Sequence, residues 1–131
     1  GHLCVATLHS NNANQAIERI LNFFPEDKHR QVLMNLSLNL RGILSQRLLN
    51  NKVGGRSIAV EILLNQGLIR QLIEEGKVKD IKPVMEKNID MGMRTFDQSL
   101  VELFRKGLID EEQAVAESDN PANIRLAIRQ A

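Results

Sequence analysis

At 131 residues, the chain has room for one domain or for parts of two. Hydrophobic residues make up 43% and charged residues 25%, as in folded globular proteins, and the formal net charge of +1 gives no global attraction to nucleic acid or to an acidic membrane. With four Phe and neither Trp nor Tyr, the core must be aliphatic, and a lone cysteine rules out an internal disulfide and suits a reducing, cytoplasmic setting.

The chain opens Gly1-His2 and runs at once into Leu3 to Leu8, LCVATL. Apolar residues at both parities predict a parallel strand covered on both faces, with Cys4 as a buried, inert thiol. The polar HSNN that follows reads as a strand-to-helix turn. Asn12 with Gln15 fits an N-cap and its capping-box partner, and Ala13, Ala16, Ile17, Ile20, Leu21 and Phe24 predict an amphipathic helix over 13–24. Pro25, Glu26 and Asp27 make a first turn for a second helix, whose stripe is Val32, Leu33, Leu36, Leu40 and Ile43, ending near Gly42.

SQRLLNNKVGGRSIAVEILL changes period. Ile58, Val60, Ile62 and Leu64 alternate strictly beyond a turn rich in Asn and Gly, which predicts a β-hairpin with one buried face. After Asn65 only helical patterns follow: GLIRQLIEEG, VKDIKPVMEKNI, TFDQSLVELFRKGLI, DEEQAVAES and one beyond Pro121, punctuated by Gly67, Gly76, Gly92 and Gly107. The expectation is a sheet-bearing part, 1–65, and a helical part, 66–131. Three strands do not cover both faces of the first, so a larger domain, or a partner chain, is expected to complete the sheet.

Candidate chemistry is sparse. Thr7, His9 and Ser10 fall at the carboxyl end of the first strand, where open α/β sheets bind ligands, just before a helix N-terminus that favours an anion. The alternatives are that His9 only completes a turn and that Gly1-His2 is a cloning remnant. His2, His9 and His29 lack a compact ligand pair, and with one Cys no metal site is expected; His29 reads as an exposed helix residue. VGGR at 53–56 joins two strands and lacks the Lys-Ser/Thr of a phosphate-cradling loop. Arg41, Arg47, Lys52 and Arg56 read as solvated surface or as a source of an arginine that reaches a phosphate across a subunit boundary. No complete catalytic apparatus is present. A helical interaction module at 66–131 is the non-enzymatic alternative.

GHLCVATLHSNNANQAIERILNFFP resembles the histidine box of the type IV pilus retraction ATPases, the PilT/PilU family, through Gly1-His2, Thr7-Leu8-His9, Ile17-Glu18-Arg19-Ile20 and Phe24-Pro25. LSQRLL at 44–49, AVEILL and GMRTFDQSL at 92–100 continue the likeness. The resemblance implies an α/β fold: the C-terminal part of a RecA-like P-loop ATPase core (strand-helix-helix-hairpin), followed by a C-terminal helical region. It further implies a hexameric cytoplasmic parent at the inner-membrane pilus base that uses ATP and Mg to power pilus retraction and twitching motility. Its partners would be the pilus-base machinery and a paralogous retraction ATPase, with no nucleic acid and no membrane insertion. The phosphate-binding loop and acidic segments precede the histidine box in that family, so these residues alone are expected to be inactive. By resemblance, His2, Thr7 and His9 sense the γ-phosphate. LIRQLIEE at 68–75 matches an AIRNLIRE-like motor-coupling motif at Ile69, Arg70, Leu72, Ile73 and Glu75, with Glu74 where the motif has a basic residue. The wording of the first box leans toward the PilU-like branch. The related pilus-extension and type II secretion ATPases commonly carry a tetracysteine zinc site, which one cysteine does not build.

Overall fold

The computed structural model describes residues 1–131 as seven helices and one two-stranded sheet. Helix α1, Ala13–Asn22, starts where its cap places it. Asn12 has extended backbone and its Oδ1 accepts the Gln15 N–H at 2.9 Å. The return bond comes one residue earlier than a capping box has it, from the Asn11 N–H to Gln15 Oε1 at 3.2 Å. Ala13, Ala16 and Ile17 are buried, whereas Phe24 lies beyond the helix and is exposed.

Pro25 opens a short 3-10 turn, Glu26–Lys28, and α2 follows at His29–Asn39. The predicted stripe runs too far, because Leu40 is already extended and Gly42 and Ile43 belong to the next strand. What stops the helix comes from elsewhere in the chain: buried Asn65 donates through Nδ2 to the carbonyls of Ser37 at 2.9 Å and Leu40 at 2.8 Å. Those are the acceptors a helix end leaves orphaned.

Strands β1, Gly42–Asn50, and β2, Arg56–Leu64, form the antiparallel hairpin, in register from Gly42↔Leu64 to Asn50↔Arg56. Gly54 and Gly55 take φ of 101° and 86°, a region that favours glycine, and Asn51 Oδ1 accepts the Val53 N–H inside the turn. At Gly42 a side chain is excluded by distance, since a Cβ would sit 2.9 Å from the Leu63 carbonyl oxygen. The hairpin buries the face opposite to the one that its alternating apolar residues advertise. Ser57, Ala59, Glu61 and Leu63 point inward, whereas Ile58 is 51% exposed and Val60, Ile62 and Leu64 are half-buried. Leu44 and Leu48 join that outer face, opposite Ile62 and Ile58.

The predicted first strand does not form. Leu3 to Leu8 is irregular and exposed, and so is Cys4. A strand is made by its neighbours, and the hairpin is the only sheet; the edge beyond β2 gains a single bridge, from Ile62 to Arg94.

The helical part follows its sequence closely. Helix α3 is Leu68–Glu74, and α4, Ile81–Lys87, follows a 3-10 turn at Val78–Asp80 and tolerates Pro83 in its first turn. Helices α5, Phe96–Arg105, α6, Glu111–Glu117, and α7, Pro121–Arg129, each begin at a side-chain cap: Thr95, Asp110 and Asn120. The inner face of the hairpin serves two apolar clusters. Leu63 packs with Ala13, Ile17, Ile69, Leu72, Ile73, Ile81 and Met85, while Leu49 and Ala59 pack with Phe96, Leu100, Ile109, Ile124 and Ile128.

Candidate functional site

The residues singled out from sequence fall in two places. His2, Thr7 and His9 are exposed along the irregular first segment, with Ser10 half-buried as it turns toward α1. Ile69, Arg70, Leu72, Ile73 and Glu75 lie on or at the end of α3, and they split by burial. Ile69, Leu72 and Ile73 are core, whereas Arg70 and Glu75 are exposed, with Glu75 accepting from Gln71 Nε2 at 2.8 Å and pairing with Lys77 at 2.7 Å. The two sets meet indirectly, through α1: Ala13 and Ile17 share an apolar cluster with Ile69, Leu72 and Ile73.

The N-terminus of α1, where the sequence leaves room for a ligand anion, already has one. Glu61 on β2 is 1% exposed, and its Oε1 accepts the Ala13 N–H at 2.9 Å. Its Oε2 accepts the Phe96 N–H at 3.2 Å, so one carboxylate caps the first residues of both α1 and α5. Both helix dipoles favour the negative charge there. Burial nonetheless pushes the Glu61 carboxyl above the ordinary glutamate value; the Ala13 N–H, Lys82 and the Phe96 N–H oppose that rise.

Arg47, on β1, completes the arrangement. Its guanidinium lies 4.0 Å over the Phe96 ring, pairs with Asp119 at 2.7 Å, donates to the Glu117 carbonyl, and reaches the Asn11 carbonyl at 3.2 Å. Lys82 pairs with the other Asp119 oxygen. Burial raises the Asp119 carboxyl, but Lys82 and Arg47 together outweigh it and hold it below the ordinary aspartate value. Arg47 is therefore committed inside the chain; among the basic residues grouped with it, Arg41, Lys52 and Arg56 are exposed. His29 is half-buried rather than exposed, with Nε2 3.0 Å from the Phe24 carbonyl oxygen.

Sequence reasoning passed over Glu61, Asp119 and Lys82. For Glu61 a signal existed: it is the one charged residue inside the run Ser57 to Leu64.

Thr7 and His9 offer a hydroxyl and an imidazole in the open, which suits one edge of a phosphate. No three His, Cys, Asp or Glu residues converge to hold a metal ion. No helix is long and apolar enough to cross a membrane.

Residues 1–88 match the family model described as "Type II/IV secretion system protein". The chain belongs to that family. Within it, the chain is 50% identical over 130 residues to the type IV pilus ATPase PilU of Pseudomonas aeruginosa, covering 98% of this chain and 34% of PilU. It is 37% identical over 123 residues to the type IV pilus retraction ATPase PilT of the same organism, covering 94% of this chain and 36% of PilT. A crystal structure of the pilus retraction motor PilT with bound ADP superposes with a TM-score of 0.80 at 38% identity, covering 91% of this chain and 33% of that one. The chain thus spans about a third of the length of the relatives it matches. The α/β class expected from the sequence, a part of a secretion-ATPase domain, agrees with these findings.

Proposed function

We propose that these residues are the C-terminal portion of a hexameric cytoplasmic ATPase that powers type IV pilus retraction and twitching motility. The observation that carries this reading is the likeness along nearly the whole chain, in sequence to PilU and in structure to the ADP-bound retraction motor PilT. Residues 1–65 then close the C-terminal side of the ATPase core, and 66–131 are its helical region. The longer protein acts at the inner-membrane pilus base, with the pilus-base machinery and a paralogous retraction ATPase as partners.

ATP with Mg supplies the phosphoanhydride bond whose hydrolysis drives the motor. Toward it, this chain offers His9 and Thr7, with His2 at the far end of the same segment, as donors near the γ-phosphate. Of the first N–H groups of α1, that of Ala13 is already held by Glu61 and that of Gln15 by Asn12. Arg70 and Glu75 present the coupling motif to solvent. An interaction module confined to 66–131 has less support, since Leu49 and Ala59 of the hairpin sit in the core of α5–α7.

The test is His9→Ala in the longer protein. ATP turnover and twitching fall, while the same substitution changes the Tm of the 131-residue chain by no more than about 1 °C, because an exposed side chain away from caps and cores is worth little to stability. Unchanged turnover removes the sensor role. The 131-residue chain alone releases no phosphate from ATP; measurable turnover by it would contradict this assignment.

A further inference from the structure

Two hairpin residues of opposite charge hold the same short turn. Glu61 accepts the Ala13 N–H and Arg47 donates to the Asn11 carbonyl, so the turn that leads from His9 into α1 is fastened on both its donor and its acceptor side. The same two residues also hold the far end of the molecule. Glu61 accepts the Phe96 N–H at the start of α5, and Arg47 binds the Glu117 carbonyl and Asp119 between α6 and α7 while covering the Phe96 ring. That connection is itself drawn to α5, because Asp97 Oδ1 accepts from Ser118 Oγ at 2.8 Å and from the Asp119 N–H at 3.1 Å.

Apolar packing does not supply this link. Ala13 and Ile17 belong to one apolar cluster, and Phe96 and Leu100 to the other. Contacts between apolar surfaces also tolerate sliding, whereas a carboxylate shared by two N–H donors, and a guanidinium fork, lose their bonds when either side shifts.

We propose that Glu61 and Arg47 form a clasp that passes displacement of the histidine-bearing segment to helices α5–α7, with both acting as positioning residues. The inference deepens the proposed motor reading, since the segment it fastens is the one that carries His9.

The experiment measures amide hydrogen exchange by NMR in the 131-residue chain, with no nucleotide present. Asn12→Ala loosens the start of α1 without touching the clasp residues. Exchange should rise several-fold at Ala13 and also at Phe96 and Asp119. In an E61Q background the amide keeps one acceptor oxygen and turns its NH2 toward the other donor, so Asn12→Ala should then speed exchange at Ala13 but add nothing at Phe96. Glu61→Asp provides a second background, which keeps the charge but is too short to reach both helices. Asn12→Ala that leaves Phe96 and Asp119 at wild-type rates overturns the clasp, making Glu61 a local cap only. In the longer protein E61Q should lower kcat several-fold with KM for ATP changed less than two-fold. Relayed exchange with unchanged kcat retains the clasp and removes the nucleotide reading of the segment, so the two failures are distinguishable.

Discussion

Arg47→Ala is the substitution that most directly weighs the polar side of this fold. The Arg47 and Asp119 side chains are 18% and 20% exposed, so the pair is not a solvent-screened surface bridge. A charge-assisted hydrogen bond to such a partner contributes about 1.5–3 kcal/mol. The guanidinium over the Phe96 ring at 4.0 Å adds about 0.5–1 kcal/mol. Allowing for solvent reaching the freed Asp119, the loss is roughly 3 kcal/mol. Unfolding entropy of about 2.1 cal/mol/K per residue converts each kcal/mol to about 3.6 °C for a chain of this length, so Tm should fall by roughly 11 °C. Arg47→Lys keeps one charged bond but loses the fork and the stacking, and should cost about half as much. Far-UV circular dichroism is the assay, because with no Trp or Tyr the chain has little intrinsic fluorescence to follow. A fall below about 3 °C for Arg47→Ala would refute the reasoning. So would an Arg47→Ala/Asp119→Ala double-mutant cycle with coupling near zero, where about 1 kcal/mol or more is expected.

The hairpin face is tested by Leu63→Ala, which should cost about 2–5 kcal/mol, against Leu44→Ala, 70% exposed, which should stay within about 0.5 kcal/mol; the reverse order would mean the register is wrong. The Asp119 and Glu61 carboxyls give opposite pH slopes. Asp119 has a folded value below its ordinary one of about 3.9, so its contribution is present above that pH and is lost as pH falls through the folded value; Asp119→Asn should flatten that acid loss in urea unfolding. Glu61 has a folded value above its ordinary one of about 4.3, so stability declines as pH rises from there to the folded value, and E61Q should remove that slope. Gly76→Ala should cost about 1–2 kcal/mol by the same melts, because φ there is 70° and the added Cβ would stand 3.2 Å from Leu33 Cδ1.

The helices were legible because their information is local. A cap such as Asn12 and an apolar period of 3.6 lie within a few residues of each other, and α1 starts where its cap predicts. The end of α2 was not legible, since Asn65 stops it from 25 residues beyond Leu40. The hairpin was legible as a hairpin, through Gly54-Gly55 and the alternation of Ile58, Val60, Ile62 and Leu64. Its buried face was not, because periodicity reports a two-sided strand without saying which side is covered. Small residues at Ser57 and Ala59 admit the close approach of α5, and the Val60 N–H donates to Ser99 Oγ at 3.0 Å. The expected buried strand at Leu3 to Leu8 was read from apolar residues at both parities, and a strand also needs a ladder to join. The candidate site shows the same division. His9 and Thr7 are adjacent to a helix start and visible as such, whereas the Arg47–Asp119 pair spans 72 residues and has no local signature.

The likeness of LIRQLIEE to a coupling motif has a physical ambiguity that burial resolves in part. Ile69 and Ile73 are fully buried and Leu72 nearly so, and they pack on α1, Leu63 and Ile81. Any helix seated there would need apolar residues at those positions, so their agreement with the motif reports packing as much as function. What packing does not require is the exposed pair. Of these, Glu75 is already engaged by Gln71 and Lys77 at the helix end, an arrangement that stabilises the α3 terminus within the chain. Arg70 is exposed and forms no salt bridge within the chain. Of the motif's matched residues, Arg70 is thus the one that neither the core nor an ion pair within this chain engages.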